Sequence, residues 1–537
     1  MKTKRNRERR VILQEDANMP FELLGTDIDG WIGFRFDLMD SAENQVDAVM
    51  WDLGLAEDSF ATWTGSGFLP PVNYRGFNRW FEAGIDCVER LVEETHKRGL
   101  EAIWNHRVCP VDFPVPYNAD CPYSSSLRNN YLKKQHPDWI NECWWPHGLW
   151  NLASKGLREH KKKYFYELMT RYDFDGLELD FARHTPCLPP GREWDNRSHA
   201  TDFVRETRDL LIGMESRRGK TLSLGARVAE NIAGCHADGF EIERWIEEGL
   251  LDFILAGGRT STVAVEEFKA LCGNRDIKIY PSFDGFHAGD GYFCPPQEYL
   301  RGVFSNFLRQ GADGISLFNW ACARRGKYRE LKIPRKALCS SLEEIFPECG
   351  SLAAMEKGDK MYAAERRGGY PWAGNYLYRN DDKPLPCAID AGAPAVVPVY
   401  IYERFTAGSR GVLDLILLGA GRETILSAKV NGNSLGPAGK DFNTRDGQVY
   451  GKGKQPDSGD YRAYGAASGL KLARFSAEIP LNLLACGENK VEVELLKAGK
   501  KQVTLEKIEI TACHSVPGSE HSVPGSEWPE RGKRRDG

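Results

Sequence analysis

The fold of this chain is decided by the stretch Tyr172-Asp-Phe-Asp175-Gly176-Leu177-Glu178-Leu179-Asp180-Phe181-Ala182-Arg183-His184. Asp-Gly is a turn signal, and the residues after it alternate between apolar and acidic, which indicates a strand and not an amphipathic helix. Two carboxylates on one face of a buried strand are costly unless that face opens into a cavity. The carboxyl ends of the strands of a (β/α)8 barrel surround such a cavity, so the stretch predicts a strand of that barrel.

The same unit, a short apolar strand followed by a polar loop and an amphipathic helix, recurs along the first two thirds of the chain. Strands are predicted at 31–36, 46–51, 100–105, 177–181, 222–227, 251–255, 277–280 and 312–320. Eight such units predict a (β/α)8 TIM barrel over residues 19–347. The structural alternative is a doubly wound open sheet, which normally carries a glycine-rich phosphate turn that the sequence lacks.

After residue 347 the helical pattern stops, and strand-like segments bounded by Gly, Asn and Pro predict a β-sandwich over 348–513. The phrases Lys429-Val-Asn-Gly-Asn433 and Ile479-Pro-Leu-Asn-Leu-Leu-Ala-Cys-Gly-Glu-Asn489 resemble galactose-binding-like modules. Residues 1–18 and 514–537 are predicted to be disordered tails, the first basic and the second carrying a duplicated heptad.

Composition excludes several classes of protein. The chain has 537 residues, 71 Lys and Arg against 76 Asp and Glu, and a formal net charge of -5. This balance favours neither nucleic acid nor an anionic membrane as partner, and no apolar run is long enough to span a bilayer. The basic start lacks an apolar signal segment, and the 14 cysteines form no Cys-x-x-Cys pair, which predicts a cytoplasmic protein without a structural metal or cofactor. A mis-called start would instead make the protein a secreted one.

Glu178 and Asp180 are the first candidates for chemistry. Asp180 would lie nearest the barrel mouth and serve as a catalytic carboxylate, with Glu178 two residues deeper as a group that orients it. A glycosidic bond is hydrolysed by two carboxyl groups, and the partner candidates are Glu230 and Asp284, with Asp52 a weaker third. The alternative is that the strand-four acids only pair with interior arginines at positions 35, 107 and 227.

Further residues are predicted to contact the substrate. These are Glu178, Arg183, His184, Arg227, His106, Trp51 and Trp320, with Trp320 as a flat surface for a sugar ring. A different arrangement, in which His106, Asp180 and His184 ligate a metal, would instead make the chain a metal-dependent lyase, isomerase or hydrolase.

The strand-four motif resembles that of family-18 chitinases, but the position of their proton-donating acid holds Ala182. It is more similar to bacterial family-10-like glycosyl hydrolases, which carry phrases like Leu-Gly-Ala-Arg227 and Gly-Ala-Asp-Gly-Ile315. This resemblance implies a carbohydrate-active barrel with Asp180 in its site. The sequence thus predicts a glycoside hydrolase acting on an oligo- or polysaccharide, with a non-catalytic carbohydrate-binding barrel as the rival reading.

Overall fold

A computed structural model describes most of the chain. The described residues are 7–17, 27–37, 39–40, 43–53, 80, 83–110, 131–144, 148–258, 260–284, 295–319, 344–366, 383–444, 472–499 and 501–513. They divide into two compact units, the first made of Met1–Gly258, Val263–Asp284 and Gly311–Gly350 and the second of Arg259–Thr262, Gly285–Gln310 and Ser351–Gly537.

The first unit is a closed barrel of eight parallel strands. The strands are β1 Val11–Asp16, β2 Val46–Asp52, β3 Glu101–Arg107, β4 Gly176–Asp180, β5 Ser223–Val228, β6 Phe253–Ala256, β7 Lys278–Phe283 and β8 Ile315–Leu317. Each strand pairs with its neighbours in chain order, and β1 closes the ring by pairing with both β8 and β2. The predicted (β/α)8 barrel is therefore confirmed.

The first strand is not where the sequence predicts it. Residues 31–36 lie in a helix, whose start is capped by the Asp27 side chain accepting from the Gly30 backbone N–H. The first strand is Val11–Asp16, within the segment predicted to be a disordered tail. That prediction was wrong because only Val11, Ile12 and Leu13 are apolar, while the three polar residues after them are buried by partners distant in sequence.

Helices alternate with the barrel strands. They are α1 Ile28–Phe36, α2 Cys87–Lys97, α3 Tyr131–Gln135, α4 Lys155–Arg171, α5 Arg197–Arg218, α6 Ile232–Ala237, α7 Ile242–Glu247, α8 Val265–Cys272, α9 Gln297–Arg309 and α10 Leu352–Met355. A short antiparallel ladder, Ile140–Asn141 with Leu149–Trp150, precedes α4. Because α9 belongs to the second unit, the boundary between units does not follow the predicted domain limits.

The second unit contains two antiparallel sheets. Its strands are β9 Lys360–Ala363, β10 Cys387–Ile389, β11 Ala395–Ile401, β12 Arg410–Leu418, β13 Ile425–Val430, β14 Asn433–Ser434, β15 Gly439–Thr444, β16 Leu472–Pro480, β17 Gly487–Lys497 and β18 Val503–Ala512. One sheet has the order β9-β18-β12-β16-β15 with β10 also on β18, and the other has β11-β17-β13-β14. Buried residues of both sheets, such as Leu415 and Val493, share one apolar cluster. An additional sheet domain after the barrel is confirmed; its likeness to galactose-binding modules stays a prediction.

Candidate active site

The inward face of the barrel can be read from its strand register. An apolar cluster inside the barrel includes Ile103 of β3 and Leu255 of β6. Arg227 of β5 is in register with Leu255, and Asp180 of β4 is in register with Arg227. Residues in register on parallel strands share a face, so Asp180 points into the barrel, as does Glu178 two positions before it.

Asp180 is fully buried at the carboxyl end of β4. The guanidinium of Arg227 donates to both carboxylate oxygens, from Nε to Oδ1 at 2.9 Å and from Nη2 to Oδ2 at 2.8 Å. The backbone N–H of Arg183 also donates to Oδ1, at 2.9 Å. This bidentate geometry is the strong form of a carboxylate–arginine pair, and it fixes the orientation of Asp180.

Glu178 lies beneath Asp180 in a different environment. It is fully buried, and the Asn105 side-chain amide donates to its Oε2. Burial and the neighbouring charge of Asp180 raise the pKa of Glu178 well above its ordinary range, against the opposing effects of Arg227 and Asn105. Glu178 therefore keeps its proton to a higher pH than an exposed glutamate does.

Arg107, at the end of β3, is the centre of a second charged group. Its Nη2 donates to Asp16 at 2.6 Å, and its Nε lies 2.8 Å from the Oδ2 atom of Asp52. Burial lowers the pKa of Arg107, but Asp16 and Asp52 raise it above its usual range. Asp52 is thus engaged, with Asp16, in an ion-pair group around Arg107.

Asp284 follows β7 and is fully buried. Its Oδ2 accepts from the Asn319 side-chain amide at 2.9 Å, and the backbone N–H of Asn319 donates to Gln14 at 2.8 Å. Asn319 has a left-handed backbone with φ of 55°, a conformation that asparagine tolerates better than most residues. Asp284 is thereby joined to β1 and β8 at the same end of the barrel.

Glu230 lies two residues after the end of β5 and is partly exposed. Its backbone carbonyl accepts from the Ala264 N–H at 2.9 Å, which anchors the loop. Because β5 neighbours β4 in the ring, Glu230 is placed at the barrel mouth beside the strand that carries Asp180.

Arg183 and His184 continue from β4 and are both buried. The ring of His184 is oriented by Nδ1, which lies 3.1 Å from the Cys109 carbonyl oxygen. Since a carbonyl only accepts, Nδ1 carries the hydrogen. The indole of Trp144, from the aromatic loop after β3, packs near His184 and donates to the Thr185 carbonyl at 2.7 Å.

Two predicted substrate contacts lie on the outer face of the barrel. The Nε2 atom of His106 is 3.0 Å from Nζ of Lys161, and its ring packs on Phe165 in α4. Trp51 is fully buried, and its indole N–H donates to Thr95 in α2 at 3.0 Å. Placing these two side chains in the pocket was wrong, because the alternation of the strands turns them toward the helices. Trp320 lies outside the described residues.

The sequence reading missed Gln14, Asp16 and Asn319 as members of this site. The first two lie on β1, so they were lost with that strand. A usable signal was the Gln-Glu-Asp run directly after three apolar residues, which is the end of a barrel strand and not a tail. The metal reading finds no support among the described residues, where no three His, Cys, Asp or Glu side chains form a group that could hold an ion.

No protein-family model and no curated protein sequence matches this chain. Among solved structures, the alignment with a Paenibacillus cycloisomaltooligosaccharide glucanotransferase covers 94% of this chain and 58% of that chain, at 9% identity and a TM-score of 0.34. The alignment with a group IV chitinase of Ostrinia furnacalis covers 64% of this chain and 100% of the chitinase chain, at 11% identity and a TM-score of 0.38. The PgaB glycoside hydrolase domain of Bordetella bronchiseptica matches 64% of this chain and 99% of its own, at 12% identity and 0.40.

Structural similarities with identities and TM-scores this low assign no activity to this chain. The fold is assigned from the order of its strands. The class that fold and site define is a TIM-barrel protein with a mouth lined by buried carboxylates and arginines, followed by an antiparallel sheet domain. No described helix is long and apolar enough to cross a membrane.

Proposed function

We propose that this chain is a glycoside hydrolase that cleaves an oligo- or polysaccharide at the barrel mouth. The observation that carries the proposal is the pair of carboxyl groups on β4, with Asp180 held by Arg227 and Glu178 beneath it with a raised pKa. Active sites of TIM barrels lie at the carboxyl ends of the strands. A carboxyl group held in place at that end, with a second carboxyl group beneath it that tunes its environment, suits acid and base chemistry there.

In this proposal Asp180 is the nucleophile or base, because it lies closest to the mouth and both its oxygen atoms are held by Arg227. Glu230 is the proton donor. It follows the neighbouring strand, and its partial exposure allows contact with a leaving-group oxygen. Asp284 is fully buried and fixed by Asn319, which suits stabilisation of positive charge on the sugar ring in the transition state.

Glu178 then acts through its neighbours. Arg227 carries a single positive charge and acts on both acids of β4. When Glu178 keeps its proton, it does not compete with Asp180 for the charge of Arg227. Glu178 is accordingly a positioning residue, and we assign Arg183 and His184 to contacts with substrate hydroxyl groups. Trp320 remains proposed as the aromatic surface under the sugar.

A second candidate is a barrel that binds carbohydrate without cleaving it. The observation that favours it is the complete burial of Asp180 and the bidentate hold of Arg227, which reduces the freedom of this carboxylate to attack. The two functions differ in one respect that can be measured, namely whether sugar binding is accompanied by turnover.

The test is hydrolysis of a panel of aryl glycosides and polysaccharides by wild type, Asp180→Asn and Glu230→Gln. We expect Asp180→Asn to reduce kcat/KM by roughly 10³-fold or more on every active substrate. Glu230→Gln should lose as much on sugar leaving groups but much less on acidic phenols, which leave without protonation.

Asp252→Asn is the matched control. Asp252 is also buried and paired with an arginine, Arg208, at 2.5 Å, but it precedes β6 and lies at the amino end of the barrel. This variant should lose stability while its kcat/KM stays within a few-fold of wild type. Equal loss of rate in all three variants would mean that folding alone had been disturbed, and binding of a sugar by wild type without turnover would establish the binding barrel.

A further inference from the structure

A layer of polar side chains crosses the barrel interior below the mouth, where TIM barrels normally pack branched apolar residues. These residues come from five strands and are at most 2% exposed. The polar layer consists of Gln14 on β1, Asn105 on β3, Glu178 on β4, Ser282 on β7 and Ser316 on β8.

The register places both serines on the inward face. Ser316 pairs with Ile12, a member of the interior apolar cluster, and Ser282 pairs with Ser316. In the ring of eight strands, β3 and β4 stand opposite β7 and β8. Asn105 and Glu178 therefore face the two serines across the barrel.

Four oxygen atoms of this layer have no hydrogen-bond partner among the described residues. They are Oδ1 of Asn105, Oε1 of Glu178 and the hydroxyl groups of Ser282 and Ser316. A buried polar atom left unpaired costs free energy, and folded proteins satisfy nearly all such atoms with protein groups or ordered water. Four on two facing walls of one interior therefore indicate a shared polar occupant.

We propose that the polar layer binds a cluster of ordered water molecules that joins Glu178 and Asn105 on one wall of the barrel to Ser282 and Ser316 on the other. The inference does not depend on the reaction proposed above. Serine hydroxyl groups and a protonated carboxyl group donate as well as accept, which suits water, since a buried water makes about three hydrogen bonds of both kinds.

The chemistry of the layer favours water over a bound cation. Burial and Asp180 raise the pKa of Glu178, and Asp52 contributes in the same direction, while Arg227 opposes them. A Glu178 that keeps its proton leaves the layer only neutral oxygen atoms, and the positive charge of Arg227 is near enough to Glu178 to lower its pKa, which disfavours a second cation there. The two serines are then positioning residues, because the water they hold fixes the hydrogen bonding of the Glu178 carboxyl group.

Melting curves of the full chain with Ser282→Ala, Ser316→Ala and the double variant test the proposal. If the hydroxyl groups hold water, each alanine lowers the melting temperature by several degrees, and the double variant loses less than the sum because the two serines share one cluster. If they bind nothing, alanine removes an unsatisfied group and the melting temperature is unchanged or rises. Ser223→Ala is the control, since its hydroxyl makes a protein contact with the Asp175 carbonyl at 3.4 Å.

Infrared spectroscopy provides a readout that packing alone would not change. The carbonyl band of protonated Glu178, identified by its loss in Glu178→Gln, should shift in Ser316→Ala and stay in place in Ser223→Ala. An unmoved band together with unchanged melting overturns the proposal. Melting temperatures of wild type in potassium or sodium chloride and in choline chloride distinguish water from a bound cation. A melting temperature that depends specifically on the alkali ion would show that a cation occupies the layer in place of water.

Discussion

Glu178 and Asp180 are two positions apart on one strand, yet their surroundings differ sharply. Asp180 receives two N–H groups from Arg227 and one from the Arg183 backbone. Glu178 receives an amide from Asn105, and its pKa is raised first by burial and then by the charge of Asp180. The strand thus carries one acid that is held by an arginine and one acid whose pKa is raised by burial.

The raised pKa of Glu178 predicts a pH dependence of stability. Above the ordinary pKa of about 4.3 for glutamate, the unfolded chain releases this proton while the folded protein keeps it, so the free energy of unfolding falls as the pH rises. Glu178→Gln cannot ionise in either state. The melting temperature of the variant minus that of wild type should therefore be higher at pH 8 than at pH 5.

The exposed Glu93 of α2 supplies the control for this comparison. Glu93→Gln should differ from wild type by the same small amount at both values of pH. If the difference in melting temperature between Glu178→Gln and wild type is the same at pH 5 and at pH 8, Glu178 is already ionised in the folded protein and the prediction is wrong.

At the scale of elements, barrel closure depends on a short strand with little apolar sequence. The strand β1 pairs with β8 through Val11–Leu13 and with β2 along its whole length. The close approach of β1 to β8 requires Gly314, where a Cβ atom would overlap the Arg9 carbonyl oxygen and lie 2.7 Å from that of Arg10. Closure and the delivery of Gln14 and Asp16 to the mouth thus depend on a position without a side chain.

Gly314→Ala should destabilise the protein by about 3 kcal/mol, because the added methyl group pushes β1 off its neighbour. The matched control is Gly213→Ala in the exposed interior of α5, where a Cβ atom meets nothing within 4 Å. That change should stabilise the protein by up to about 1 kcal/mol through helix propensity. Urea titrations of both variants measure their free energies of unfolding. Equal values for the two variants would contradict the close packing of β1 against β8.

At the scale of the whole molecule, α9 links barrel strands in the chain but belongs to the second unit. Asn306 of α9 donates to the Tyr400 carbonyl at 2.8 Å and accepts from the Tyr402 N–H at 2.9 Å, as a strand neighbour would. Glu403 accepts from Arg309 of α9 at 3.3 Å and from Lys360 of β9 at 2.8 Å. The sheet domain therefore includes a helix supplied from within the barrel sequence.

Asn306→Ala leaves two part-buried backbone groups at the end of β11 without their partner, so we expect a loss of about 1–3 kcal/mol. Hydrogen exchange should accelerate at residues 395–402 more than in the barrel strands. The control is Glu356→Ala, which removes an exposed ion pair with Arg309 and should change stability by less than about 1 kcal/mol. Uniform acceleration over both units would show that α9 does not act on this sheet in particular.

Local pattern was enough to place seven barrel strands, because each carries its own apolar run and turn signals. It also indicated that Arg227 could pair with a strand-four acid, and Arg227 binds Asp180. Arg107, named with it, pairs instead with Asp16 and Asp52. It failed for β1. It also failed for residues 31–36, where aromatic residues suggested a strand but the segment forms a helix that is capped by Asp27. Propensity is weak when burial by distant partners competes with it.

The sequence by itself determined the class of fold and the inward acids of β4, because strand alternation and turn chemistry are local properties. Only the tertiary structure decided which strand closes the barrel, which arginine binds Asp180 and which side of β3 faces the site. His106 and Arg107 are adjacent in sequence, yet one packs on a helix and the other lies in the mouth. The physical reason is that register is fixed by pairing between distant strands, and a shift of one residue exchanges the two faces.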